Sequence, residues 1–190
     1  MIPDTTDRSG QHSLRLLLRA GIERFPDDMV LSFLYNKDHI VAAVTAQMVR
    51  TPSKFVDRAF TEAIKLSKEK AAFRRELSTY ILGQLGPPEF KYKDQSVPIL
   101  TRLCADTSGD VRGGAIVALG HLEAGDCKDI ILDALNDTDE SVIESAAFSL
   151  WKLGLTSDDK KLMEAASKQC SKRTRESIED YIDDLSRFAL

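Results

Sequence analysis

The chain has few cysteines: Cys104, Cys127 and Cys170 are three among 190 residues. They form no CxxC spacing, so neither a disulfide framework nor a zinc site is indicated, and buried or half-buried thiols are expected. No stretch approaches the ~18 apolar residues that a membrane-spanning helix needs. The leucines of Leu14–Leu18 are interrupted by Arg15 and followed by Arg19. That leaves no h-region of a signal peptide, and a cytoplasmic protein is expected. An excess of positive charge is missing too: 26 Lys+Arg stand against 30 Asp+Glu, a net charge of −4. A dedicated nucleic-acid binder needs a basic surface, so this class is disfavoured. With only 10 Gly and 6 Pro, and 43% hydrophobic residues, the chain is neither collagenous nor disordered. Alternating apolar and polar residues bounded by turn signals are absent, which argues against strands.

Chemistry-bearing motifs are lacking as well. There is no GxGxxG, P-loop, HExxH or GxSxG, and His12, His39 and His121 are widely separated. No catalytic residue, metal site or cofactor is expected, and the chain reads as non-enzymatic.

What the chain does have is an internal repeat. An offset of 31 residues places Pro98–Leu122 on Asp129–Leu153, with Asp106 on Asp137, Val111 on Val142, Ala115 on Ala146, Leu119 on Leu150 and Leu122 on Leu153. Positions 111, 115, 119 and 122 recur at helical spacing and mark one buried face. Each unit reads as helix A, a polar turn and helix B. Asp, Ser and Thr in the turns are suited to capping helix B, and Gly125 and Gly154 to ending helices. Pairs are expected near 25–50, 53–86, 96–122, 127–154 and 157–190, the last with Ile178, Ile182 and Leu185 on its core face. Leu14–Glu23 is expected as a capping helix, Pro87–Asp94 as a loop, residues 1–10 as a flexible tail and 11–190 as a single domain.

The segment from Pro98 to Gly120, with Asp110-Val111-Arg112, Ala115 and Leu119-Gly120, and its neighbour through Gly154 resemble the short, bacterial-type HEAT repeats. The neighbour departs from the pattern at Ile143, where the arginine would stand, and at Trp151, where the first copy has Gly120. The resemblance implies an all-α fold, an α-solenoid of about five HEAT-like helix pairs, superhelical and without a sheet. It further implies a concave face lined by B helices that binds partners.

Charge is segregated along the chain. Residues 50–102 carry 11 Lys+Arg against 6 Asp+Glu, and residues 106–144 carry 2 against 10. Turn and capping roles account for several of these acids but not for Asp129, Asp133 and Glu144. The last helix adds Glu176, Glu179, Asp180, Asp183 and Asp184 on one face. The B helices also place Tyr80, Phe148 and Trp151 in adjacent registers, where aromatics beside acids would anchor a protein partner. The expected partner-binding residues are therefore Tyr80, Asp133, Glu144, Phe148, Trp151, Glu176, Asp180 and Asp183. The expected partner is another, basic protein.

Small free-standing HEAT-like proteins resemble immunity proteins, which implies a cytosolic inhibitor of a bacterial toxin such as a basic nuclease domain. Two alternatives follow from the same resemblance. One is a DNA-binding or DNA glycosylase protein using Lys54, Arg74, Arg75 and Arg112 on phosphates. The other is a bilin-lyase-type or chaperone adaptor subunit.

Overall fold

The structure, a computed structural model, describes residues 24–50, 53–85 and 89–188. The expected tail over 1–10 and the capping helix over 14–23 lie outside the described residues. Among the described residues there are helices and turns and no strand. The helices fall into two compact units divided between Tyr92 and Lys93.

The first unit holds α1 (Asp27–Ser32), continued by a 3-10 turn over Phe33–Tyr35, then α2 (His39–Val49), α3 (Ser53–Leu66) and α4 (Ala72–Leu82). Its core is built from Leu34, Ala42, Ala46, Phe55, Leu66, Ile81 and Leu82, all fully buried. Asp38 caps α2 by accepting from the Ile40 N–H at 2.8 Å.

The second unit holds α5 (Lys93–Leu103), α6 (Gly109–His121), α7 (Lys128–Asp133), α8 (Glu140–Leu153), α9 (Ser157–Ser167) and α10 (Lys172–Phe188). The A helices α5, α7 and α9 each pack on the B helix that follows, and α6, α8 and α10 lie side by side in that order. The repeated face is the core: Val111, Ala115 and Leu119 of α6 and Val142, Ala146 and Leu150 of α8 are buried, as are Ile178 and Ile182 of α10. Leu153 departs from this symmetry, being half-buried where Leu122 is buried. The side chain of Leu185 is outside those described.

Two local features depart from the sequence reading. Helix α5 opens at Lys93, inside the stretch expected as a loop, and carries Pro98 within it. Pro98 and Asp94 are both exposed, so water can satisfy the Asp94 carbonyl that the missing Pro98 N–H leaves free. The end of α6 does not use Gly125. Instead Glu123 takes the left-handed conformation, with φ 50°. The Glu123 N–H bonds to the Gly120 carbonyl and the Ala124 N–H to the Leu119 carbonyl, both at 3.1 Å. This pair of bonds closes a Schellman motif. At the end of α8, Gly154 does take positive φ, 85°.

The turns are held by arginines at the fourth residue of a B helix. Arg75 donates to the carbonyls of Glu69 and Lys70, and Arg175 to those of Ser167, Lys168 and Cys170. Arg112 donates to the Asp106 carbonyl at 3.0 Å and reaches into the next repeat, where its Nε and Nη2 bind the two oxygens of Asp137 at 2.8 and 2.7 Å. These side chains supply donors to carbonyls at and just beyond the end of helix A.

Candidate functional site

The B-helix face of the second unit carries a continuous aromatic cluster. Glu144, Phe148 and Trp151 share one side of α8 at i, i+4 and i+7. Ser177, Tyr181 and Asp184 do the same on α10. Phe148 is the hub: its ring centroid lies 5.6 Å from His121 of α6, 5.8 Å from Trp151 and 5.9 Å from Tyr181. Trp151 and Tyr181 are themselves 5.9 Å apart. All four rings are half-buried, seated against the helices yet open to solvent on one side. The Ser177 hydroxyl donates to Glu144 at 2.6 Å and ties α10 to α8 beside the rings.

At the α10 side of this row a pocket of about 320 Å³ is lined by Trp151, Asp180, Tyr181, Asp183 and Asp184. Among the described residues none of these three carboxylates has a hydrogen-bond or ion-pair partner. The Lys152 ammonium lies over the Trp151 ring at 5.9 Å. The arrangement offers π faces and uncompensated negative charge together, which is the surface a cation recognises.

Of the residues expected from sequence, the structure thus gathers Glu144, Phe148, Trp151, Asp180 and Asp183. Glu176 stands further out on α10, exposed, with Lys172 at 3.6 Å. Asp133 is exposed on α7, an A helix, and so is not part of the B-helix row. Tyr80 belongs to the first unit. There Arg50 lies over its ring at 5.0 Å, and it borders a pocket of about 340 Å³ lined also by Ile40, Val44, Phe73 and Leu77.

The sequence reading missed Tyr181 and Asp184 as members of the row. His121, the half-buried last residue of α6, adds its ring to the row edge-on against Phe148. The signal was present but masked: α10 follows α8 with an offset of 33 at Glu144–Ser177, not 31. Extending the first offset therefore puts Tyr181 out of register.

Part of the acidity of residues 106–144 is structural, while Asp110, Glu123, Asp126, Asp129 and Asp133 are exposed. Asp106 accepts from the Ser108 N–H, Asp137 from the Asp139 N–H, and Asp139 caps α8. The Arg112 guanidinium holds the Asp137 carboxyl below the usual carboxylate range, against the opposing effect of burial. Asp159 is buried in a capping box with Thr156 and takes Lys128 at 2.7 Å. Burial works to raise its pKa, but the bonds from Lys128 and Thr156 outweigh it and keep the group ionised.

The basic residues of the nucleic-acid alternative are likewise engaged. Arg74 donates to the carbonyls of Leu34 and Asn36, Arg75 and Arg112 to those named above, and Lys54 to Asp27 at 3.3 Å. The cysteines are free thiols, Cys127 and Cys170 buried and Cys104 half-buried. Burial pushes the Cys104 thiol up to about 12. No helix among the described residues is long and apolar enough to cross a membrane.

Fold and site define the class: an all-α protein of the helical-repeat, α-solenoid kind, a scaffold suited to binding other proteins. More particularly, residues 96–182 match the family of HEAT repeats. No curated protein matches the sequence. Among solved structures the chain is similar to the Escherichia coli protein YibA, with a TM-score of 0.78 at 18% identity, over 96% of this chain and 66% of that one. The chain thus spans just under two thirds of the length of that protein. It is similar to an engineered protein with a TM-score of 0.62 at 14% identity, over 94% of this chain and 90% of that one. A designed armadillo repeat protein in complex with the peptide (KR)4 gives a TM-score of 0.60 at 13% identity, over 95% of both chains. At these identities the likeness shows the fold alone.

Proposed function

We propose that the chain is a non-enzymatic protein-binding module that seats a basic partner on the aromatic row of α6, α8 and α10. The observation that carries this reading is the half-buried cluster of Phe148, Trp151 and Tyr181 beside three carboxylates of α10 that have no partner among the described residues. Aromatic anchors supply contact area at low entropic cost, and the acids supply steering and register. The designed armadillo repeat protein with its (KR)4 peptide gives a precedent for a helical repeat holding alternating Lys and Arg. In its most specific form the partner is the basic nuclease domain of a bacterial toxin and the chain its cytosolic immunity protein. Charge complementarity between such a phosphate-binding surface and α10 supports that form, and a toxin reading frame beside the gene is its expected genetic signature.

The test is a binding titration with an alternating Lys-Arg octapeptide across a salt series. Asp180→Lys with Asp183→Lys is expected to abolish binding at low salt and remove its salt dependence. Asp133→Lys, on α7, is the control and should bind nearly as the native chain does. Equal binding by the native and double-substituted proteins would overturn the reading.

A further inference from the structure

Resting on that reading, we propose that the pocket between Trp151 and α10 is a socket for a single arginine side chain of the partner. The Trp151 and Tyr181 rings, 5.9 Å apart and tilted by 34°, form an aromatic floor. Asp180, Asp183 and Asp184 stand around it, on successive turns of one helix face. A planar guanidinium lying on this floor would direct its N–H groups outward along its edge, toward the carboxylates. Five donors in a flat fork can serve more than one carboxylate while the face stays in contact with the rings.

An ammonium fits less well. Its compact, strongly hydrated charge gains from the rings or from one carboxylate, and loses hydration that the apolar floor does not replace. The position of Lys152, 5.9 Å above the Trp151 ring and exposed to solvent, shows that a cation reaches this ring, yet without a carboxylate ion pair among the described residues. The pocket volume of about 320 Å³ suits one long side chain, not a helix or an extended strand.

The experiment uses the full chain and two peptides, octa-arginine and octa-lysine, with the emission of the single tryptophan as readout. Octa-arginine is expected to bind about tenfold tighter than octa-lysine and to perturb Trp151 emission at saturation. Asp180→Asn with Asp184→Asn replaces charge at exposed or half-buried positions, and circular dichroism checks that the helices are intact. This variant is expected to bring the arginine preference below about twofold. Equal affinity for the two peptides, with Trp151 responding to both, would overturn the arginine socket and leave the basic-partner reading standing. An arginine preference that survives the double substitution would also overturn the socket. Failure of both peptides to bind the native chain would overturn both.

Discussion

Gly120 shows how one residue sets the approach of two helices. A Cβ at this position would stand 2.8 Å from the Ser149 Cβ and 2.9 Å from its Cα, so the backbone of α8 would have to move. Ser149 exploits the closeness: its hydroxyl donates to the Ile116 carbonyl at 3.0 Å. Gly120→Ala is expected to lose about 1–2 kcal/mol, since overpacking outweighs the helix-propensity gain of alanine. A denaturant midpoint checks it. Glu123 is the opposite case. It holds φ 50° that glycine adopts freely, so Glu123→Gly is expected to raise stability by about 0.5–1 kcal/mol, read as a higher melting temperature. The Arg112–Asp137 pair, with side chains 17% and 14% exposed, predicts a pH dependence. The Asp137 carboxyl is held below its ordinary value when folded, so its contribution is present above the unfolded pKa of about 3.9 and is lost as pH falls through the folded value. Asp137→Asn should cost about 1.5–3 kcal/mol at neutral pH, and the gap to the native chain should narrow as pH drops below about 4.

At the scale of elements, the sequence made the helix pairs legible because burial repeats at a fixed offset. Leu119 and Leu150, matched by the 31-residue shift, are both fully buried. Leu119→Ala is expected to cost about 2–5 kcal/mol in chemical denaturation, the cavity term included. The sequence did not reveal what the offset itself hides. Gly120 and Trp151 are equivalent by alignment, yet one is pressed against Ser149 and the other is half-open in the aromatic row. The alignment preserves the core side of a helix while side-chain volume decides the other side. Asp139 was legible as a helix cap. That its carboxylate also lies against Gly109 of the preceding repeat, filling the space of a Cβ, is a packing fact with no local sequence signal.

At the scale of the whole molecule, net charge along the chain adds engaged and free groups together. The acidic stretch 106–144 spends Asp106, Asp137 and Asp139 on turns and leaves Asp129 and Asp133 exposed, while Asp180, Asp183 and Asp184, without partners among the described residues, stand on α10. The basic stretch of the first unit is similarly engaged, with Lys91 on Asp57 at 2.6 Å and Arg58 on Asp28. Two aromatic sites were expected to act together, yet Tyr80 and Trp151 belong to different compact units, and the aromatic row is complete within the second. The most direct test of the central claim is an NMR titration of the full chain with the alternating Lys-Arg octapeptide, following backbone amides and the single indole N–H. The account predicts shifts at the Trp151 indole and at the amides of Glu144, Phe148, Tyr181 and Asp184, with Asp133 and Tyr80 unmoved. Shifts centred on Tyr80 or on the A helices, with the Trp151 indole unchanged, would contradict it.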